Sequence, residues 1–388
     1  MPELPEVETV ARDLRGLILD ATITDAVSLW PRTLRTHAPD TIGPALAGRR
    51  IESVGRRGKQ LVIGLSGRAL MTIHLKMTGQ LFVVPAGTPL DRHVRLVIAF
   101  DDGRELRFRD IRKFGRIGLY DLDPASGEAV HEAGGTAIFA GTGPEPLEDA
   151  FTIRAFRRRL RARRGRLKSL LLDQSFVAGI GNIYADEALW AARLHPLRSA
   201  PTLRPADERR LYLAIRRILA EAIVRRGSSI DDYTAPEGDG SMQDHLLVYQ
   251  RAGEPCRRCG RPIRRIVVGG RATHLCSWCQ HLPAVDRKGA AAILRGVTPR
   301  PGAPPGRRGR RWTELEGAAA LGRTPAEVAA VGEQARARAE RTRRAATTRR
   351  AAARAAAGGP GAAAASPRPA ASPPLATSPG RPSAADGG

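Results

Sequence analysis

The chain opens Met1-Pro2-Glu3-Leu4-Pro5-Glu6-Val7-Glu8-Thr9. An initiator methionine before a small residue is usually removed, which would leave Pro2 as the mature N-terminus. A terminal proline is a secondary amine. On attacking an electrophilic carbon it forms an iminium that keeps its positive charge without a proton, and so serves as an electron sink. Carboxylates Glu3 and Glu6 stand beside it and can move protons. The same residues read as a helix start: Pro5 suits a first turn, and Glu6 and Glu8 favour the positive end of the helix dipole. Val7, Val10, Ala11, Leu14, Leu17 and Ile18 follow at helical spacing. A helix over about residues 5–18 is expected to pack one face on a sheet and hold Pro2 still.

The 388 residues are enough for two or three domains. Lys+Arg number 63 against 39 Asp+Glu, a formal net charge of +24. That balance points to a polyanion, most simply nucleic acid. Lysine is confined to Lys59, Lys76, Lys113, Lys168 and Lys288 in an arginine-rich chain, so each lysine kept is a candidate. The sequence carries no recognisable signal peptide and no apolar run long enough to span a membrane. All four cysteines fall in one short window, which argues against a disulfide framework and fits a reducing cytoplasm.

From about residue 22 to 122 the pattern turns to strands. Leu61-Val62-Ile63, Leu70 to Ile73 and Leu81 to Val84 are short β-rich runs. Val94 to Phe100 and Glu105 to Phe108 flank Asp101-Asp102-Gly103 as a hairpin. A β-sandwich is expected. Residues 133–150 are rich in Gly and Pro and read as a linker. From about 151 to 227 the periodicity is helical, with a dense arginine run from Arg157 to Arg166 that is expected to touch phosphates. Gly179 and Gly181 break the helix, and Asn182 follows at the next helix start, where free amides can hold a phosphate. In the helix from Ala206 to Val224, Leu211, Ile215, Ile218, Leu219 and Ile223 share one core-facing side. Residues 228–245 form a long polar stretch that reads as a lid or binding loop.

Cys256-x-x-Cys259 and Cys276-x-x-Cys279 enclose sixteen residues, the spacing of a closed tetrahedral four-thiolate zinc site, structural rather than catalytic. Between the pairs, Ile263 to Val268 and Arg271 to Leu275 read as a hairpin turned by Gly269-Gly270. Beyond about residue 283 the chain becomes a Pro/Gly/Arg linker, an Ala/Arg helix candidate and a Gly/Pro/Ala/Ser end that is expected to be disordered. A basic tether that raises nonspecific DNA affinity is the expected use of this tail.

Met1 to Thr9, Arg57-Gly58-Lys59, His74 to Gly79, Asp110 to Gly115, Gly143-Pro144-Glu145-Pro146-Leu147, Gly179 to Glu187 and the cysteine pairs together resemble the formamidopyrimidine-DNA glycosylases over roughly residues 1 to 282. These are bacterial repair enzymes that excise oxidised purines. The resemblance implies an α+β protein: a helix and β-sandwich over 1–132, a linker over 133–150, a helix–two-turns–helix domain with a lesion loop over 151–245 and a zinc finger over 246–283; the basic low-complexity tail over 284–388 lies beyond the resemblance. It assigns catalysis to Pro2, Glu3, Lys59 and Arg271, with Glu6 in support. It places Met77, Arg112 and Phe114 in the gap left by a flipped nucleotide, Arg112 facing the orphaned base. Arg164, Lys168 and Asn182 would hold phosphates around the lesion. One structural Zn2+ on Cys256, Cys259, Cys276 and Cys279 is expected, with damaged double-stranded DNA as partner, no membrane, a monomeric state and a nucleoid location.

Two departures from the family pattern stand out. Lys76 occupies a position where a small residue is common, and Met242 one where an aromatic precedes Gln243. No role is assigned to His93 or Asp91. The implied activity is excision of 8-oxoguanine and formamidopyrimidines through a Pro2 Schiff base, followed by β- and δ-elimination. The alternatives are an endonuclease VIII-like glycosylase for oxidised pyrimidines and a non-catalytic damaged-DNA-binding protein. Leu4 and the Met77, Arg112, Phe114 set oppose the first, and intact Pro2, Glu3 and Lys59 oppose the second.

Overall fold

A computed structural model describes residues 1–131, 135–229 and 240–295. Helix α1 spans Leu4–Ile18 and α2 spans Ile42–Leu46. The strands of the first half are β1 (Ile23–Ser28), β2 (Ile51–Arg57), β3 (Gln60–Leu65), β4 (Ala69–His74), β5 (Gly79–Pro85), β6 (Val94–Phe100), β7 (Arg104–Asp110), β8 (Arg116–Leu122) and β9 (Ala129–Val130). They form two antiparallel sheets, ordered β1-β6-β7-β5 and β2-β3-β4-β8-β9. Alternating residues of both sheets, such as Leu61, Ile63 and Leu65 against Leu96, Ile98 and Phe100, share one core, as expected of a sandwich. The β6–β7 connection turns at Gly103, whose φ of +77° suits glycine.

Four helices follow: α3 (Ile153–Arg161), α4 (Leu167–Leu172), α5 (Asn182–Ala191) and α6 (Pro205–Val224). They build a second core around Phe156, Phe176, Tyr184, Leu189 and Ile215. The finger hairpin is β10 (Arg264–Val268) with β11 (Arg271–Leu275), followed by α7 (Ala284–Arg287) and α8 (Ala291–Arg295). The expected disordered tail lies, apart from these short helices, outside the described residues.

Helix α1 joins the first two cores. Val7, Val10, Ala11, Leu14 and Ile18 enter the sandwich core, while Leu4, one turn earlier, is buried in the helical core. Full burial of one such side chain is worth about 1.5–3 kcal/mol. The first turn of α1 therefore sits between two packed bodies, and Pro2 and Glu3 just before it are buried.

Candidate active site

Pro2 is buried just ahead of α1. The next residue, Glu3, is also buried, and its carboxylate caps the start of α5. Gly181 N donates to Oε2 at 2.6 Å, Ile183 N to Oε1 at 2.8 Å, and Tyr184 N to Oε2 at 3.3 Å. Free amides and the positive end of a ten-residue helix together hold an anion here. The two glycines before α5 are spatial requirements. A Cβ on Gly181 would lie 2.4 Å from Glu3 Cδ, and one on Gly179, whose φ is +82°, would lie 2.6 Å from Leu4 Cβ. Leu4 N also donates to Gly179 O at 2.9 Å.

Glu6 is buried behind Glu3. It accepts Glu3 N at 2.8 Å, Ser228 N at 2.8 Å and the Tyr184 hydroxyl at 2.5 Å. Burial, and then the Glu3 charge, push its carboxyl above the usual range.

Lys59 sits at the tip of the β2–β3 hairpin, in a two-residue loop between the paired Arg57 and Gln60. Gly58 takes a φ of +57° at the first loop position, as type II′ turns favour. The hairpin is clamped from below by Glu145. That buried carboxylate pairs with Arg56, with Arg57 Nη1 at 2.8 Å and with Gly58 N at 2.6 Å. Arg56 Nε also reaches Glu8 Oε2 in α1 at 2.9 Å. The Gly-Pro-Glu-Pro-Leu stretch, read as linker, is thus a joint: Gly143 N bonds Gln174 O at 2.8 Å, and Ala178 N bonds Pro144 O at 3.0 Å. Lys59 Nζ has no hydrogen-bond partner among the described residues. Burial lowers its pKa, with Arg271 and Lys76 adding to the effect and Glu3 and Glu6 opposing it.

Arg271 follows the tight turn of the finger hairpin, where Gly269 and Gly270 have φ of +56° and +73°. Both values favour glycine in a type I′ turn. The Arg271 side chain is exposed. Asn182 and Asp186 of α5 tie the hairpin to the helical core: Asn182 Nδ2 donates to Ala272 O at 2.9 Å, and His274 N donates to Asp186 Oδ2 at 2.8 Å. Asn182 Oδ1 is buried without a partner.

Lys168 is placed differently from the expected phosphate contact. It is fully buried, with Nζ donating to Asp186 Oδ1 at 2.6 Å and Asn182 O at 3.0 Å. A buried ammonium needs such a partner, so here Lys168 braces α4 against α5 and offers no face to solvent. Most of the arginine run is likewise spent internally. Arg161 forks onto Glu208, Arg159 bonds Ser175 O and Phe176 O, and Arg166 bonds Leu197 O. Arg161 nevertheless stays exposed, as do Arg158 and Arg164. The sequence showed the density of the run but not the internal acceptors that absorb it.

Met77, Arg112 and Phe114 come together on one edge of the sandwich. Met77 is 37% and Phe114 45% exposed, unusually high for apolar side chains in adjoining loops. The Arg112 guanidinium lies 4.9 Å from the Phe114 ring centre. Asp110 holds the two loops together: Oδ1 accepts the Thr78 hydroxyl at 2.5 Å and Oδ2 accepts Gly115 N at 2.7 Å. Lys76 has a φ of +56°, a conformation that favours glycine. Asp91 is paired with Arg109 and accepts His93 N at 3.0 Å.

The base of the polar loop is clasped shut, while residues 230–239 lie outside the described residues. Ser229 N donates to Gln243 Oε1 at 3.0 Å and Gln243 Nε2 to Gly240 O at 2.7 Å. Met242 is buried in the helical core rather than facing a ligand. The four cysteine sulfurs lie within 4.8 Å of one another. A zinc with bonds of about 2.3 Å would set them about 3.8 Å apart. They fit one structural zinc, with Trp190 Nε1 donating to Cys256 Sγ at 3.4 Å.

Tyr184, Glu145, Asp186 and Asp110 were not singled out from the sequence. Their signal was weak: each is an acid or phenol within or beside a quoted motif, given meaning only by partners far along the chain.

A family profile described as the formamidopyrimidine-DNA glycosylase N-terminal domain matches residues 1–117. The corresponding H2TH domain matches 142–234, and a zinc finger found in FPG and IleRS matches 253–282. The formamidopyrimidine-DNA glycosylase of Herpetosiphon aurantiacus is 48% identical over 282 residues, covering 72% of this chain and 100% of the relative. That of Chloroflexus aurantiacus is 49% identical over 283 residues, covering 72% and 98%. Among solved structures, the wild-type Lactococcus lactis Fpg in complex with an N7-benzyl-Fapy-dG containing DNA aligns with a TM-score of 0.66 at 36% identity, over 72% of this chain and 100% of that one. The Lactococcus lactis Fpg complexed with an abasic site containing DNA aligns with the same score, identity and coverage.

Proposed function

The chain belongs to the formamidopyrimidine-DNA glycosylase family and is a base-excision repair DNA glycosylase and AP lyase that acts on damaged DNA; we propose that Pro2 is its nucleophile and that oxidised purines are its substrates. The observation that carries this reading is the buried Pro2–Glu3 turn, whose Glu3 carboxylate is held by three amides at the start of α5 and acts on the charge of half-buried Lys59. Charges from Glu3, Glu6 and Arg271 all reach Lys59. The lesioned nucleotide turns out of the duplex. The Pro2 amine bonds to C1′ of the sugar, and the damaged base departs with the electrons of the glycosidic bond. Glu3, steadied by three backbone amides, takes the proton that the Pro2 nitrogen loses on bonding to C1′ and passes it to the sugar ring oxygen as the ring opens. The resulting iminium acidifies C2′, so a base can remove its proton. The 3′ phosphate then leaves by β-elimination and the 5′ phosphate by δ-elimination.

Lys59 and Arg271 move protons in these eliminations and contact the adjoining phosphate. Met77 and Phe114 fill the vacated stack, and Arg112 donates to the orphaned base, its planar fork suited to the acceptors of cytosine. Asn182 and Arg164 grip the backbone. Lys168 reaches a phosphate only if DNA draws it away from Asp186. The protein acts as a monomer in the bacterial nucleoid.

Borohydride trapping tests the reading. Wild-type protein should give a covalent adduct on an 8-oxoguanine duplex, faster than on a thymine glycol duplex, and Pro2→Gly should give none. No wild-type adduct on lesion or abasic DNA would overturn it.

A further inference from the structure

Glu6 carries two unlike connections. Its Oε2 accepts Glu3 N at 2.8 Å, which fixes the peptide joining Glu3 to Pro2. Its Oε1 accepts the Tyr184 hydroxyl at 2.5 Å and Ser228 N at 2.8 Å. Tyr184 belongs to α5, and Ser228 stands at the base of the polar loop that Ser229, Gly240 and Gln243 clasp shut. The carboxylate therefore sits between the nucleophile's peptide on one side and the loop base on the other.

Two features show that this place is built for it. Gly227 has a φ of +72°, and a Cβ there would lie 2.7 Å from Glu6 Oε1 and 2.8 Å from its Cγ. Tyr184 is 1% exposed in the helical core, yet turns its hydroxyl out of that core onto the carboxylate. A tyrosine in an apolar core needs a partner for its hydroxyl, and Ser228 Oγ, at 3.4 Å, is the other oxygen near it.

We infer that Tyr184 is a positioning residue for the nucleophile: through Glu6 it holds the Pro2–Glu3 peptide and joins it to the base of the polar loop. The inference rests on Pro2 as the nucleophile. The Tyr184 hydroxyl bonds Glu6, so the effect of that hydroxyl on the Pro2–Glu3 peptide passes through one carboxylate. Among the described residues, Glu3, Tyr184 and Lys59 are charged or titratable groups that interact with Glu6. Burial and the neighbouring Glu6 charge raise the Tyr184 pKa well above that of an ordinary phenol, so it stays a donor throughout the working range.

The test is single-turnover borohydride trapping with full-length protein on 8-oxoguanine and abasic duplexes, over a range of DNA concentrations. Tyr184→Phe keeps the ring and removes only the hydroxyl. The expected result is about a tenfold loss of maximal adduct rate on both duplexes, with the half-saturating DNA concentration unchanged. Glu6→Gln should be slow, and adding Tyr184→Phe to it should slow it no further, because both act through one carboxylate. Gly227→Ala, checked for zinc content and a cooperative melt, should reproduce the loss by crowding Glu6. A full maximal rate in Tyr184→Phe would overturn the inference, as would losses that multiply in the double variant. Absence of an adduct with wild type would instead overturn the nucleophile assignment.

Discussion

Gly181 lacks a side chain because Glu3 occupies its space: a Cβ there would stand 2.4 Å from Glu3 Cδ, while Gly181 N donates to Glu3 Oε2 at 2.6 Å. Residues 178 positions apart thus share one small volume. Gly181→Ala should displace the carboxylate while leaving the helical core whole. Adduct formation with lesion DNA is expected to fall about a hundredfold, the cost of an ångström-scale misplacement. A normal rate with an unchanged melt would contradict the role given to this contact.

Lys59 should titrate below the ordinary lysine value of 10.5, because burial and the nearby Arg271 disfavour its charge. If it donates protons during elimination, strand cleavage should decline as pH rises through that lowered value. Lys59→Gln should lose this alkaline limb and slow elimination by about 10²-fold or more. The sign for stability is the reverse. Between the folded and unfolded lysine pKa values the unfolded chain binds more protons, so stability gains with pH there.

Glu145→Gln should weaken the clamp under the Lys59 hairpin. The carboxylate is nearly buried between Arg56 and Arg57, and removing one member of such a set costs about 3–5 kcal/mol. Burial alone would raise the Glu145 pKa, but the arginines and Gly58 N hold it below the usual range. Its contribution is therefore present above the unfolded carboxylate pKa and lost as pH falls through the folded one. Denaturant titrations should show wild type losing stability below about pH 4.5, and the variant losing less over that window.

Met77→Ala and Phe114→Ala should leave the melting temperature nearly unchanged, because both side chains are largely exposed. Each should slow excision by weakening the filled gap in the stack. A fluorescent base analogue opposite the lesion would report it: the variants should leave the orphaned base more mobile. Equal fluorescence and equal rates would remove the wedge assignment.

Chelation of zinc should unfold the finger, where Trp190, Val248, Ile263 and the cysteines form one small cluster and hairpin residues Ile266, Val268 and Leu275 belong to another. Structural zinc binding is folding free energy. DNA affinity should fall together with zinc content, and Cys279→Ser should show the same loss. The sandwich, which shares no residues with those clusters, should keep its cooperative melt.

The α1 helix, the β6–β7 hairpin and the four-thiolate spacing were all legible in order along the chain. Each depends on neighbours a few residues apart: helical period, alternation, turn glycines, ligand spacing. What Lys168 and the arginine run do was not legible, because a cation's use is set by the acceptors packing brings to it. Lys168 found Asp186, eighteen residues on, and Arg161 found Glu208. The sequence by itself determined the chemical inventory and its local elements. Only the tertiary structure decided that Glu3 would cap α5, that Tyr184 would reach Glu6 and that Glu145 would brace the Lys59 turn. Those pairings join segments 87 to 181 residues apart, and no local propensity acts over such separations; burial in shared cores selects them.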